Sequence, residues 1–265
     1  MSAPDPGLPL GRQAFQANWS GRIAFGALVV YTIYAASHLG FSWDRFVTGL
    51  GQGGTFLARM FPPDFERTQL LVDGMVESLQ IAILSSFFGI LLSLPVGLLA
   101  ARNLMPPWVT WPARTIIALC RSFHPIIIAI LFVKAVGFGA LAGVLALIVG
   151  SIGFVGKLFA EAIEEISLKQ VEAVRATGAP FLNVLIMAVQ PQVLPRFIGF
   201  ATYQLDSNLR NSTMVGIVGG GGIGATLFTA YQRFDYDYVL AILIVTVAMI
   251  MVAEVLSGWI RKAFQ

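Results

Sequence analysis

The chain has 265 residues, of which 57% are hydrophobic and only 12% are charged, and its mean hydropathy is +0.78. An average soluble domain carries about 25% charged residues, so this composition indicates an integral membrane protein and excludes a sizeable separate soluble domain. The single cysteine, Cys120, excludes a disulfide framework and a cysteine-based metal site. The net charge of +3 is ordinary for a membrane protein, and we expect lipid rather than nucleic acid around it.

Six stretches are candidates for membrane-crossing helices, which need about 18–20 apolar residues each. In chain order they are Ile23–Trp43, Val76–Ala101, Ala113–Val136, Ala140–Phe159, a stretch broken by charges from Ile186 to Val218, and Tyr238–Ile260. The first has a long polar lead and no A-x-A cleavage pattern, so we interpret it as a retained helix rather than a signal peptide. The sequence therefore predicts an all-α integral membrane protein with six transmembrane helices.

The segments between these stretches predict how the chain is organised. Residues 1–22 form a cytoplasmic tail, 23–43 the first transmembrane helix, 44–73 an extracytoplasmic loop and 74–265 a membrane core with a cytoplasmic segment at 157–182. An even number of spans places both termini on one side, where nine Lys and Arg residues lie against five on the other. The excess of basic residues predicts that both termini are cytoplasmic.

Small residues recur at three- and four-residue steps in the fourth span, at Ala142, Gly143, Ala146, Gly150, Gly153 and Gly156. Such a face lets helices approach closely in lipid. It fits either packing within one subunit or a dimer contact.

The one long polar interruption of the core is Gly156–Gly178. Its charges pair at i,i+4 as Lys157/Glu161 and Glu165/Lys169, which predicts that the fourth span continues as a helix beyond the membrane.

A second short helix follows in the same segment. Val171, Val174 and Gly178 fall on one side of it, and Glu172 and Arg175 fall on the other. Gly178 is suited to end this helix, and Ala179-Pro180 to begin the next. A solvated loop is the alternative interpretation.

Charged and polar residues inside the spans are candidates for a translocation pathway, namely Arg121, His124, Asp206, Asn208 and Arg210. Ionisable groups at membrane depth are costly and usually face an aqueous path or a partner. Asp206 and Arg210 are spaced to neutralise each other, but we predict that Arg210 faces the pathway while Asp206 turns toward another helix.

The other two members of this set have alternative interpretations. Arg121 could lie near the cytoplasmic interface and extend toward water, and His124 could be a packing residue. His38 is the only other histidine, so we predict no metal site.

A run of glycines at Gly219, Gly220, Gly221, Gly222 and Gly224 interrupts the end of the fifth span. Each glycine destabilises a helix interior by about 1 kcal/mol, so the run predicts a break and an outer hinge whose backbone lines a cavity. An inert chain reversal is the alternative. The letters also match G-x-G-x-x-G, but with no strand before them they are weak evidence for a dinucleotide site.

Several of these motifs resemble those of ABC importer permeases. Glu172-Ala173, Gly178 and Pro191 match the cytoplasmic signature of that family, whereas Val174, Ala188 and Gln190 replace its usual Ala, Ile and Leu. The chain is most similar to phosphonate permeases over about residues 73–261, with methionine permeases next. The motifs shared with phosphonate permeases are Arg121–Pro125, Gly156–Glu164, Asn208–Arg210 and Val215–Gly224.

The resemblance implies a type I importer permease in a bacterial inner membrane, acting as a homodimer on phosphonate or a related phosphorus oxyanion. It implies three partners: a second permease copy, a cytoplasmic ABC ATPase dimer and an extracytoplasmic solute-binding protein. The residues implied to couple to the ATPase are Glu172, Ala173, Val174, Arg175 and Gly178. The sequence has no P-loop, so we expect no cofactor on this chain, with ATP and Mg held by the ATPase.

Other functions remain open from the residues alone. A proton-coupled transporter could use Asp206 and Glu254, an ABC permease could carry methionine, and a membrane scaffold could use the polar cytoplasmic helix. An enzyme is disfavoured because the sequence lacks H-E-x-x-H, G-x-S-x-G and paired intramembrane aspartates.

Overall fold

A computed structural model describes residues 19–40 and 42–264. Over these ranges all regular secondary structure is helical, as predicted. The chain separates into two compact units, Met1–Ala58 and Arg59–Gln265. The division falls earlier than the start of the predicted core at residue 74. The tail up to residue 18 lies outside the described residues.

The described part of the first unit contains two helices, α1 (Trp19–His38) and α2 (Trp43–Ala58), bent by 64° relative to each other. Gly40 adopts a positive φ of 65° after α1, a conformation that favours glycine at a helix end. The Ser42 hydroxyl accepts a hydrogen bond of 3.3 Å from the Arg45 amide and so caps the start of α2. The predicted first span is therefore wrong at its end, because Trp43 starts a new helix.

The predicted loop 44–73 is largely helical. Residues 44–58 belong to α2 in the first unit, and α3 of the second unit already begins at Thr68, so only a short connection remains. The helices of the second unit are α3 (Thr68–Ala100), α4 (Pro107–Ser122), α5 (Pro125–Val136), α6 (Ala140–Glu164), α7 (Leu168–Ala176), α8 (Phe181–Val184), α9 (Gln190–Val215), α10 (Ile223–Gln232) and α11 (Tyr236–Phe264).

Two π-helical turns extend the fifth predicted span. Leu185–Val189 joins α8 to α9, and Gly216–Gly220 follows α9. Among the described residues, four helical segments are long and apolar enough to cross a membrane: Thr68–Ala100, Ala140–Glu164, Phe181–Gly220 and Tyr236–Trp259. They match four of the six predicted spans. The number rises to six if each bent pair, α1 with α2 and α4 with α5, is one span.

The third predicted span is not continuous. Helices α4 and α5 meet at an angle of 91° across Phe123 and His124. His124 has an extended backbone (φ −67°, ψ 141°), because the ring of Pro125 disfavours a helical conformation in the residue before it. The prediction of one helix over Ala113–Val136 is wrong for this reason.

Small residues let α3, α4 and α6 pack closely. A Cβ atom on Gly89 of α3 would come within 3.0 Å of Ser151 on α6, and one on Gly97 would lie 2.8 Å from the Gly156 carbonyl oxygen. On α6, a Cβ on Gly153 would lie 2.7 Å from the Arg121 Cγ. The small-residue face of the fourth span is therefore used for packing within this subunit.

One end of this bundle is held by charged groups. The Arg114 guanidinium of α4 donates to the Ala100 carbonyl at 3.0 Å and pairs with the Glu164 carboxylate at 2.7 Å. The same carboxylate accepts a hydrogen bond of 2.7 Å from the Arg102 amide. The ends of α3 and α6 and the first half of α4 are thus joined at one level.

The opposite end of α3 is joined to the turn before α11. Arg67 pairs with Asp235 at 3.0 Å, and its guanidinium lies 4.9 Å from the centre of the Tyr238 ring. The hydrogen bond to the Asp235 carboxylate raises the pKa of Arg67 above its ordinary value.

Candidate functional site

Helix α7 is the short helix that the polar segment predicted. Val171 is buried to 2% exposure and packs in a cluster with Ile163, Val184 and Ala188, and Val174 is partly buried against the same cluster. Glu172, Ala173 and Arg175 are exposed. The predicted division into two faces is confirmed, and the interpretation as a loosely solvated loop is wrong because α7 is anchored by apolar contacts.

The predicted end of α7 is also confirmed. The helix stops at Ala176, the Gly178 amide donates to the Arg175 carbonyl at 3.0 Å, and Gly178 has a positive φ of 77°. A Cβ at Gly178 would meet no atom within 4 Å, so glycine is required there by backbone conformation and not by lack of space. Pro180 then caps α8.

The connection from α6 to α7 differs from the prediction. Lys157 and Glu161 form the expected pair at 3.3 Å, and α6 continues past Phe159 to Glu164. The second predicted pair is wrong, because the helix ends before Glu165, whose carboxylate binds Arg196 of α9 instead of Lys169.

A second contact fixes the start of α7 to α9. The side-chain oxygen of Gln192 accepts a hydrogen bond of 2.9 Å from the Ser167 amide. Together with the Glu165–Arg196 pair, this hydrogen bond connects the start of α7 to α9. Helix α7 is therefore held by these polar contacts and by the apolar contacts of Val171, while its other face is exposed.

A cavity of about 240 Å³ lies at the break between α4 and α5, beside α6 and α9. Phe123, Pro125 and Phe154 form part of its apolar wall. Its polar lining residues are Arg121, Tyr203, Gln204, Ser207, Asn208 and Asn211. We refer to it as the Arg121 cavity.

Arg121 lies near the middle of the bundle. It contacts α6 at Gly153, which is 11 residues before Glu164 in a helix of 25 residues, or about 16 Å along the axis from that end. Arg114, which pairs with Glu164, lies closer to that end of α6. That Arg121 lies near the cytoplasmic interface stays an alternative prediction. Within residues 19–40 and 42–264, Arg121 forms no ion pair and no side-chain hydrogen bond.

His124 does not share the cavity with Arg121. It caps α5, and its Nδ1 accepts a hydrogen bond of 3.4 Å from the Ile126 amide. Arg121 belongs to α4, whereas His124 precedes α5, so these two pathway candidates do not lie on one continuous helix as the predicted third span implied.

Asp206 and Arg210 form an ion pair on α9. The Arg210 Nη2 donates to Asp206 Oδ2 at 3.2 Å, and the two side chains are 52% and 10% exposed respectively. The prediction that Asp206 turns away from Arg210 is wrong, because the spacing of one helical turn brings them together. Neither residue lines the Arg121 cavity.

Asn208 is the centre of a buried hydrogen-bond network between α3, α6 and α9. Its amide nitrogen donates to Ser86 and Ser151 at 3.0 Å each, and its oxygen accepts from Gln204 at 2.9 Å. Asn208 is 1% exposed. Its side chain is thus fixed by helix contacts at the edge of the cavity.

Sequence reasoning missed four of the cavity residues: Tyr203, Gln204, Ser207 and Asn211. A signal was available, because Gln204, Ser207, Asn208 and Asn211 recur at three- and four-residue steps on α9 and therefore share one helix face. The prediction relied on the charged residues Asp206 and Arg210, which lie on a neighbouring face of α9, and therefore did not include these neutral residues.

The glycine run forms a tightly packed turn. Gly219, Gly221 and Gly222 have positive φ values of 99°, 81° and 74°, and α9 and α10 are separated as predicted. A Cβ on Gly222 would come within 3.0 Å of Ser78, and one on Gly224 within 3.0 Å of the Thr213 carbonyl oxygen. The run is flanked by helices on both sides, so it lacks the strand of a dinucleotide site. An outer hinge here stays a prediction.

Comparison with known proteins identifies a family and several relatives. Residues 93–265 match the family of binding-protein-dependent transport system inner membrane components. The phosphate-import permease protein PhnE of Mycolicibacterium smegmatis is 43% identical over 206 residues, covering 77% of this chain and 39% of that protein. The phosphite transport system permease protein PtxC of Stutzerimonas stutzeri is 42% identical over 220 residues, covering 83% of this chain and 80% of that protein.

Solved structures agree with this assignment of fold. The MetNI methionine ABC transporter in an inward-facing conformation contains a chain that matches with a TM-score of 0.68 and 27% identity, covering 76% of this chain and 99% of that chain. A chain of an amino acid ABC transporter solved with histidines has a TM-score of 0.63 at 18% identity, and that similarity concerns the fold alone.

Proposed function

This chain belongs to the family of binding-protein-dependent transport system inner membrane components, and from that membership we propose that it is the permease subunit of an ATP-driven importer for a phosphorus oxyanion. The similarity to ABC importer permeases that the sequence predicted is confirmed. The chain is a multi-pass membrane protein of the type I importer fold.

The proposed solute rests on the named relatives. Two permeases more than 40% identical to this chain are named for phosphate import and for phosphite transport. This chain spans 80% of the length of the phosphite permease but only 39% of that of the mycobacterial protein. A phosphonate, phosphite or phosphate anion is therefore the proposed cargo.

The observation that carries the coupling role is the position of α7. It presents Glu172, Ala173 and Arg175 outward on a helix whose other face is anchored in the apolar core. A helix held this firmly can transmit a displacement at its surface to α6 and α9. We therefore assign docking of a separate ATPase chain, with its ATP and Mg, to this surface and to the turn at Gly178.

The remaining partners follow from the same proposal. A second copy of this permease completes the pathway, and an extracytoplasmic protein delivers the solute. Both termini then lie on the cytoplasmic side of a bacterial inner membrane, together with α7.

Reconstitution tests the proposal directly. The permease, its ATPase and the soluble binding protein are incorporated into vesicles, and uptake of phosphite, methylphosphonate, phosphate and D-methionine is measured with and without ATP. The control is an ATPase variant that binds but does not hydrolyse ATP. We expect uptake of at least one phosphorus oxyanion only with the active ATPase.

Each alternative function gives a different result. Uptake of D-methionine without any oxyanion would contradict the proposed solute while leaving the importer assignment intact. Uptake driven by a pH gradient without ATP would contradict the importer assignment and favour a proton-coupled transporter that uses Asp206.

A further inference from the structure

The Arg121 cavity combines one unpaired cation with neutral hydrogen-bonding groups. No acidic residue lines it, and Arg121 has no ion-pair partner in the part of the chain that the structure describes. An unpaired guanidinium in the middle of a membrane protein is costly unless it faces water or an anion. Arg121 lies beside the middle of α6 and is exposed in this subunit, so its charge is accessible to water or to an anion.

We propose that the Arg121 cavity is a binding site for the transported oxyanion halfway across the membrane. The inference rests on the proposed function, because it names the place where the same solute is held during passage. Arg121 supplies the charge, and Ser207 and Asn211 supply hydrogen bonds.

The geometry of the Arg121 guanidinium suits the proposed ligand. A guanidinium presents a planar fork of donors that matches two oxygens of a phosphonate or phosphate group. Phe123 and Pro125, which flank the first turn of α5, also line the cavity. The start of α5 carries partial positive charge, but the end of α4 at the same break carries partial negative charge. The charge of the site is therefore assigned to Arg121 alone.

The size of the cavity fits a small oxyanion. A cavity needs about 10–15 Å³ of such space to hold one water molecule, so about 240 Å³ is enough for a small oxyanion together with several waters. A tetrahedral phosphorus group displaces only part of this water and keeps a partial hydration shell. The site can therefore hold the anion weakly enough to release it.

The neutral groups divide into fixed and adjustable members. Gln204 and Asn208 are held by Ser86 and Ser151 in the buried network and form a rigid wall. Ser207 and Asn211 are partly exposed, and only a long contact of 3.4 Å joins them, so they are free to turn toward a ligand. A rigid wall with adjustable donors allows a site to bind without rebuilding itself.

This composition also predicts which solutes the site rejects. A zwitterion such as methionine carries an ammonium group that needs a carboxylate or several acceptors, and the described lining offers no carboxylate. Arg121 therefore favours anions over zwitterions. Arg210 cannot serve the same purpose, because Asp206 neutralises it.

Charge replacement at Arg121 in the reconstituted transporter tests the site. Arg121→Gln removes the charge and Arg121→Lys keeps it. Lys134→Gln is the matched control, because Lys134 is a cation on α5 that does not line the cavity. We expect Arg121→Gln to reduce oxyanion uptake at least about tenfold, the factor given by loss of a charge-assisted hydrogen bond. Arg121→Lys should retain most uptake, and Lys134→Gln all of it.

The outcomes separate this inference from the proposed function. If the unmodified transporter takes up no oxyanion, the proposed function fails. If it transports and Arg121→Gln transports equally well, only the binding site is refuted.

A second variant covers the case in which Arg121→Gln does not assemble with the ATPase. The double change Ser207→Ala with Asn211→Leu keeps the charge and removes the adjustable donors. A raised KM for uptake supports the site, and an unchanged KM overturns it.

Discussion

The turn at Gly178, which follows α7, is proposed to take part in docking of the ATPase. Asparagine, alanine and valine tolerate a left-handed backbone to different degrees, so substituting each of them for Gly178 measures the contribution of this turn. The φ of Gly178 is 77°, and a Cβ there meets no atom within 4 Å. Any effect of asparagine, alanine or valine therefore comes from backbone conformation and not from a clash inside this subunit.

The magnitude follows from the conformational cost. An L-residue in this region costs about 1–2 kcal/mol, and asparagine costs less. Removing a glycine also lowers the entropy of the unfolded chain, which offsets about 0.4–1 kcal/mol. We expect a net cost near zero for Gly178→Asn, about 1 kcal/mol for Gly178→Ala and about 2 kcal/mol or more for the β-branched Gly178→Val.

Affinity for the ATPase is the quantity to measure. If the turn relaxes in the free permease, docking must restore its left-handed conformation, and the unfolded chain does not enter this equilibrium. The dissociation constant therefore rises by the full conformational cost, about five- to thirtyfold for alanine and more for valine. Titration of the permease in nanodiscs with labelled ATPase gives these constants, and thermal unfolding of each variant reports whether the fold itself is intact.

Two results would refute this reasoning. If asparagine weakens docking as much as valine does, side-chain bulk at the interface is responsible and the backbone argument is wrong. If valine docks with unchanged affinity, the turn at Gly178 has no part in coupling.

Three further predictions concern packing and polar contacts, and thermal unfolding of the purified permease measures each. Gly143→Ala should destabilise the protein by about 1–3 kcal/mol, because its Cβ would come within 3.0 Å of a carbonyl oxygen in the glycine run. The control Gly199→Ala has open space and should be neutral or stabilising, so equal melting temperatures would contradict the packing argument. Asn208→Leu should cost about 1–3 kcal/mol by leaving buried partners without hydrogen bonds, and an unchanged melting temperature would show that the network is dispensable. A double-mutant cycle on Arg67 and Asp235 should give a coupling energy of only about 0.2–1 kcal/mol, because both side chains are well exposed, and a coupling of several kcal/mol would contradict this.

Much of the fold could be predicted because its signals are local. Apolar length identified four spans, and the alternation of Val171 and Val174 with Glu172 and Arg175 identified the two faces of α7. The presence of glycine at position 178 was enough to predict the end of that helix. Each of these features depends on residues within one or two helical turns.

The break at Phe123–His124 was missed although its signal was present. The residues on both sides of the break are apolar, so hydropathy averaged along the chain predicts one continuous span. Such an average does not depend on the fact that His124 directly precedes a proline. Pro125 restricts the backbone of His124 to an extended conformation, and this restriction ends α4 although the apolar pattern continues.

The buried network could not be predicted in the same way. Asn208 binds Ser86 and Ser151, which are 122 and 57 residues away in the chain. Only the packing of α3 against α6 brings these hydroxyl groups together. The ion pair of Asp206 with Arg210 was one of two local possibilities, and the sequence led us to predict the other one.

The polar face of α9 has a consequence for how the protein enters the membrane during synthesis. A charged residue near the centre of an isolated helix costs about 2.5–3.5 kcal/mol on the scale of translocon insertion, and α9 carries both Asp206 and Arg210. Asn208 of α9 donates hydrogen bonds to the hydroxyl groups of Ser86 on α3 and Ser151 on α6, and both of these helices leave the ribosome before α9. We infer that α9 inserts by docking onto these earlier helices. Its insertion therefore depends on α3 and α6 being synthesised first. In a translocon insertion assay, α9 alone should remain outside the bilayer while α6 alone inserts, and efficient insertion of isolated α9 would contradict this.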